Sequence, residues 1–308
     1  MIKSIIYHLK AGTLLTTIRK KLYYKRCSKT NISDKDYLIG LGKILLGYRM
    51  NLDHPQTFNE KINWYKLNYK NKLMHDVVDK IEAKKYVISK GLEEIVVSNY
   101  AIYDSFSKIN IDLLPNKFVI KNTMDSGGVF VCRDKNIVNI NDIYSRLNSQ
   151  LEANTDKHWA REFAYVQSNN RIIVEELIET PDGHTPWDYK FFCFNGEPKF
   201  LFVGSDRDTN VCFDFFDIDF NWLNVKQGHP HSKKKIIKPE NYNKMLDICR
   251  ILSKDFPHVR VDLYNVNGKI YFGELTFYHF AGLTPFKPKK WDKIFGDMWD
   301  LSKINNYR

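Results

Sequence analysis

Residues 259–276, VRVDLYNVNGKIYFGELT, decide how the rest of the chain is read. Apolar and polar residues alternate on both sides of Asn267-Gly268, a dipeptide suited to the positive φ of a tight turn, so the stretch predicts two strands of a hairpin. Arg260 and Asp262 fall two apart on the first strand, and Glu274 and Thr276 two apart on the second, so each pair shares one side of its strand. A strict two-residue turn would set Asp262 opposite Gly273 and send Glu274 to the other side. An odd loop or a bulge near Gly268 or Gly273 restores a common face. Two carboxylates, a guanidinium and a hydroxyl on one face suit a divalent cation and a phosphate better than they fill a core. An ordinary half-exposed hairpin with an acid and a base on its wet side fits the segment equally well.

Working outward from this hairpin, WDYKFFCFNGEPKFLFVGSDR (187–207) is a second one, turning at Asn195-Gly196, with Asp188 and Lys190 on one face and Asp206-Arg207 just past its end. RIIVEELIE (171–179) reads as a buried strand that turns at Glu175-Glu176 into Leu177 and Ile178. Backbone groups there can hydrogen-bond the edge of a planar base while Leu177 covers its face; a surface strand end looks the same. In NKFVIKNTMDSGGVFVCRDK (116–135), Lys121 closes a strand before a Ser126-Gly127-Gly128 turn. A buried lysine calls for an anion, and glycines leave backbone N–H groups uncovered, as a lid over phosphates requires; a hairpin needing two glycines explains the turn as well. No Walker A loop occurs. Upstream, Asp79-Lys80 begins a helix with Lys84 one turn on, ending at Gly91, and Thr57 with Glu60 forms a capping box before an aromatic scaffold helix.

The composition bounds what these segments build. The 308 residues are 43% hydrophobic and 14% aromatic, ample for one large or two modest cores. Five scattered cysteines without a C-x-x-C pair predict reduced thiols in the cytosol. Eight of the net eleven positive charges fall in residues 1–30, which contain no acid. Without an RNP, zinc-finger or helix-turn-helix signature, that distribution argues against nucleic acid. Ile2, Ile5, Ile6 and Leu9 make one apolar helical face; Leu14, Leu15, Ile18 and Leu22 make another, with a break at Ala11-Gly12. Two short helices set among Lys and Arg suit an anionic membrane surface, or else pack on the body with a solvated basic side. Asp217-Ile218-Asp219 could chelate a metal with a sugar nucleotide, which keeps a glycosyltransferase open.

Taken in order, TFNEKINWYKL, FVIKNTMDSGG, RIIVEELI, DYKFFCFNGEPKF, VRVDLY and KIYFGELTF make the chain resemble the ATP-grasp superfamily, and within it the TupA-like branch of teichuronopeptide biosynthesis, over 55–296. The resemblance implies an α+β fold in which two α+β subdomains clasp a nucleotide after a basic helical segment. The expected division is 1–54 N-terminal segment, 55–110 helical pre-grasp region, 111–180 small subdomain with phosphate lid and adenine hinge, and 181–308 large subdomain with the magnesium site.

It further implies ATP and Mg2+ as cofactors. Lys80, Lys84, Lys121 and Ser126-Gly127-Gly128 would meet the phosphates, and Glu175, Glu176 and Leu177 the adenine, with Asp188 near the ribose. Asp262, Glu274 and Thr276 would be the metal ligands, and Arg260, Lys190 and Arg207 the catalytic cations. Thr276 stands where many ATP-grasp enzymes have Asn, and Glu176 where many have Lys. The implied chemistry is carboxylate–amine ligation through an acyl phosphate, joining an amino acid or amine to a uronic-acid residue of a surface polysaccharide. The enzyme would be cytoplasmic, peripheral at the inner membrane face, with a non-catalytic adaptor as a further alternative. The loop 224–238 and the turn 278–284 are the expected walls of the acceptor groove.

Overall fold

The computed structural model describes residues 11–124, 128–145, 147, 159–165 and 171–307. Ser126, Gly127 and the apolar face of Ile2 to Leu9 lie outside the described residues. The chain forms two compact units. One comprises the described residues of Met1–Tyr69, His158–Glu162 and Tyr278–Asp297, and the other those of Lys70–Lys157, Phe163–Phe277 and Met298–Arg308.

The first unit is helical: α1 (Ala11–Cys27), α2 (Asp34–Leu45), α3 (Phe58–Asn68) and, from far along the chain, a helix at Lys290–Asp297. Ser33 caps α2, and Thr57 and Glu60 close the reciprocal capping box that starts α3. Tyr37, Leu38, Leu41, Met50, Leu52, Ala281 and Leu283 form its core.

The second unit carries α4 (Lys72–Asp76), α5 (Lys80–Ser89) and two antiparallel sheets. Four strands, β1 (Asn99–Tyr103), β2 (Phe118–Asn122), β3 (Val129–Cys132) and β4 (Ile172–Glu175), pair in the order β1-β4-β2-β3. Six more, β5 (Asp188–Phe194), β6 (Glu197–Ser205), β7 (Cys212–Asp217), β8 (Trp222–Leu223), β9 (His258–Val266) and β10 (Lys269–Thr276), pair as β10-β9-β5-β6-β7-β8. The next helix, α6 (Tyr242–Ser253), buries Met245, Ile248, Cys249 and Leu252 and packs against β5, β6 and β9. This burial leaves the opposite face of those strands for the charged residues.

Both Asn-Gly turns form as two-residue loops, Asn195 and Gly196 at φ 52° and 81° and Asn267 and Gly268 at 51° and 80°. All five cysteines are buried free thiols. Among the described residues no helix is long and apolar enough to cross a membrane. Leu14, Leu15, Ile18 and Leu22 lie on α1, in which Ala11 and Gly12 are already helical, and the residues on the other side of the expected break lie outside the described residues.

Candidate active site

The face of β10-β9-β5 turned away from α6 carries the charges. Lys190 of β5 sits directly opposite Asp262 of β9, and Asp188 opposite Tyr264. On the other side of β9 the strict two-residue turn would have sent Glu274 to the wrong face. A bulge between Phe272 and Glu274 restores it, so Glu274 pairs with Asp262 and Thr276 with Arg260. The extra residue is Gly273, where a Cβ would stand 3.0 Å from Asp262 O and 3.3 Å from the Tyr264 ring. Glycine thus permits the crowding that brings two acids together.

Arg260 organises the cluster. Its Nε and Nη2 donate to Asp262 Oδ1 and Oδ2, each at 2.7 Å, and Nη2 also reaches Glu274 Oε1 at 3.0 Å and Thr276 Oγ1 at 2.9 Å. Lys190 Nζ contacts Asp188 Oδ2 at 2.6 Å and also binds Asp262. Arg207 Nη1 donates to Asp188 Oδ2 at 2.9 Å, and Asp188 Oδ1 is buried without a hydrogen-bond partner. The Asp262 side chain is 1% exposed, that of Glu274 38%, so one acid is locked inside and the other opens outward.

A second cluster is built by the other sheet. Glu175, at the end of β4, forms ion pairs with Lys84 of α5 at Oε1 and with Lys121 of β2 at Oε2, both at 2.5 Å. Lys84 also donates to Val97 O at 2.8 Å and binds Asn99 Oδ1, which accounts for its three protons. Lys80, just after the Asp79 cap of α5, reaches Asn122 O at 2.9 Å.

The electrostatics join the clusters. Burial would raise the Glu274 carboxyl, but Lys190, Arg260 and Lys80 hold it well below the ordinary range. Burial would discharge Lys121, yet Glu175, Tyr264 and Glu274 keep it charged. Burial, with Asp188 nearby, pushes Asp262 up to about 6 against the pull of Arg260 and Lys190. Among the described residues, six cations, Lys80, Lys84, Lys121, Lys190, Arg207 and Arg260, gather with four acids, Glu175, Asp188, Asp262 and Glu274, a positive excess suited to an anion.

Eleven of the residues singled out in the sequence therefore lie in two coupled clusters, and others stand differently. Gly128 is buried and its carbonyl accepts from Asn122 N at 3.0 Å. Glu176 is exposed and its N–H donates to Ser98 O at 3.0 Å, while Leu177 is half-buried. Asp217 does not converge on the clusters; it accepts from the backbone N–H groups of Asp219 and Asn221 and from the Asn221 amide, closing its own turn. Tyr264 was missed, although its parity with Asp262 on β9 was the signal that could have found it. Lys234 and Lys238 of the expected groove wall line a cleft of about 720 Å³ with Trp187, Arg207 and Asn265. The turn 278–284 belongs to the helical unit.

Among the described residues no group of three His, Cys, Asp or Glu side chains gathers to hold a metal. Asp262 and Glu274 nevertheless lie within 3.0 Å of one guanidinium nitrogen, with the Thr276 hydroxyl beside them. These are hard oxygen donors, and they fit magnesium, which takes one or two carboxylates and completes its shell with phosphate oxygens and water.

A family model described as TupA-like ATPgrasp matches residues 60–300. None of the curated proteins searched matches the chain. Among solved structures, D-alanine–D-alanine ligase from Bacillus anthracis complexed with ATP is similar at 16% identity and TM-score 0.39, over 66% of this chain and 54% of that one. VanG D-Ala:D-Ser ligase from Enterococcus faecalis is similar at 16% identity and TM-score 0.40, over 75% and 62%. ATP-grasp ligase PsnB, complexed with minimal precursor, Mg and ADP, is similar at 10% identity and TM-score 0.36, over 71% and 57%. The chain spans about half the length of the D-alanine–D-alanine ligases it matches.

Proposed function

Because the chain belongs to the TupA-like ATP-grasp family, we propose that it is an ATP-dependent carboxylate–amine ligase. The observation that carries this reading is the meeting of Asp262 and Glu274 on one Arg260 guanidinium, in a field shared with Lys80 and Lys121 from the other sheet.

Asp262, Glu274 and Thr276 would hold magnesium, and Asp188 would meet the ribose. Bound magnesium–ATP supplies the phosphoryl group that activates the acid as an acyl phosphate, from which an amine displaces phosphate to leave an amide. The chain's own part is positioning and charge. Arg260 and Lys190 already stand on the acids, so they are placed to neutralise phosphoryl oxygens once those acids turn to the metal. Arg207, tied to Asp188, adds a third cation. Lys80 and Lys121 would take the phosphate tail, Lys121 with a side chain 23% exposed. The Ser126-Gly127-Gly128 turn would close over it, and Glu175 to Leu177 would frame the base. Lys84, with its protons taken by Glu175, Val97 and Asn99, would hold Glu175 in place.

The acid substrate is proposed to be a uronic-acid residue of a surface polysaccharide and the nucleophile an amino acid or amine, with the enzyme working at the inner membrane face. The division into a small subdomain at 111–180 and a large one at 181–308 belongs to the same proposal. The test is ADP release from ATP and magnesium across a panel of uronic acids and free amino acids, with products read by mass. Release that needs both an acid and an amine is expected. Stabilisation by UDP-sugars without any response to ATP would overturn the reading in favour of a glycosyltransferase.

A further inference from the structure

Among the described residues, helix α1 packs through one side. Tyr23 stacks on Tyr37 with ring centroids 5.5 Å apart and donates its hydroxyl to Tyr37 O at 3.2 Å. Lys20 Nζ lies 3.4 Å from the centre of the Trp159 ring, and Cys27 is buried. At ~100° per residue these three positions fall together. On the opposite side, within about 60° of one another, are Leu15, Ile18 and Leu22. They are 50%, 44% and 63% exposed.

The cations line the margins of this ridge. Arg19 and Arg26 run along one edge and Lys21 and Lys25 along the other, all exposed, and the helix has no acid. A helix packed by one face ordinarily turns a charged face to water. Here the outermost line is aliphatic and the charges flank it, as in a helix lying in a headgroup layer with its apolar side at the acyl boundary and its cations among anionic lipids. A second copy of the same ridge would bring these like charges together, which disfavours self-association.

We propose that α1 seats the protein on an anionic bilayer surface, parallel to the membrane plane, with Leu15, Ile18 and Leu22 inserted and Arg19, Lys21, Lys25 and Arg26 at the headgroups. The proposal is independent of the ligation chemistry.

Sedimentation of the full chain with vesicles tests it. Retention on vesicles containing phosphatidylglycerol but not on phosphatidylcholine alone, weakening as salt rises, is expected. The triple variant Leu15→Ser/Ile18→Ser/Leu22→Ser should lose roughly tenfold or more of that partition while keeping its far-ultraviolet circular dichroism and its thermal shift with magnesium–ATP. The variant Arg19→Gln/Lys21→Gln/Lys25→Gln/Arg26→Gln, which leaves the ridge intact, should lose the preference for anionic vesicles. Absence of wild-type binding to anionic vesicles overturns the proposal, as does binding that the triple variant retains in full. A dimer by light scattering that the triple variant converts to monomer, without vesicle binding, would assign the ridge to a second copy instead.

Discussion

Glu175 and Asp262 are both buried carboxylates, each clasped by two cations, and they behave oppositely. Lys84 and Lys121 outweigh burial at Glu175 and hold its carboxyl down to about 2. At Asp262 burial prevails and the carboxyl rises to about 6, although Arg260 and Lys190 both touch it. The difference lies in how the cations are divided. Among the described residues Lys84 pairs with one acid, Glu175, whereas Lys190 serves Asp188 as well as Asp262, and Arg260 serves Glu274 as well. A carboxylate with a cation to itself is a brace; acids that compete for cations remain able to accept a metal.

The largest break in this comparison is Asp262→Asn. It keeps the shape and removes the charge, and it should lower ligase activity on the order of a thousandfold and abolish the magnesium–ATP thermal shift. Retained activity would move the metal elsewhere. Glu175→Gln should act on stability instead, because it leaves Lys84 buried without its counter-charge. A loss on the order of 3–5 kcal/mol in urea unfolding at pH 7 is expected, and a change under 1 kcal/mol would remove the brace from the account.

The pH responses run in opposite directions. Since the folded carboxyl of Glu175 lies below its unfolded value, it contributes about 3 kcal/mol above pH ~4.5, lost as pH falls through about 2. Asp262 lies above its unfolded value, so its stabilising share is present below pH ~4 and disappears as pH rises through about 6. Protonating it should also weaken magnesium–ATP binding by about tenfold for each pH unit below 6. Unfolding midpoints of wild type and Glu175→Gln at pH 5 and pH 3 check the first, and nucleotide titrations from pH 7 to 5 the second.

A smaller effect sharpens the geometry. Gly273→Ala should cost about 1 kcal/mol of stability but roughly tenfold or more of activity, since the added Cβ presses on Asp262 O, 3.0 Å away. The smallest is Asp217→Asn, expected to cost about 1 kcal/mol through its turn and to leave ligation untouched; an activity loss there would revive the sugar-nucleotide reading.

The elements were legible in the chain because their signals are local. Asn-Gly dipeptides set both hairpins, Thr57-x-x-Glu60 and Asp79 set helix starts, and alternation showed which strand positions could not be core. The same parity exposed Arg260, Asp262, Glu274, Asp188 and Lys190, since charged side chains two apart on a strand share a face. A common face for Glu274 required a departure from regular pairing, and that requirement too could be read from residue spacing.

What tertiary structure alone decided is which long-range partners meet. The departure is a bulge at Gly273 and not a longer loop, because the two-residue turn at Asn267-Gly268 leaves the extra residue to the strand. Lys84 and Lys80, one turn apart on α5, could not be told apart in sequence; Lys84 meets Glu175, some ninety positions on, whereas Lys80 meets the Asn122 carbonyl. Likewise α1 has apolar and basic residues on several sides, and only packing against Tyr37 and Trp159 turns Leu15, Ile18 and Leu22 outward. Local propensity specifies elements within a few residues, but register, ion-pair partners and the buried side of a helix are set by contacts between segments far apart along the chain.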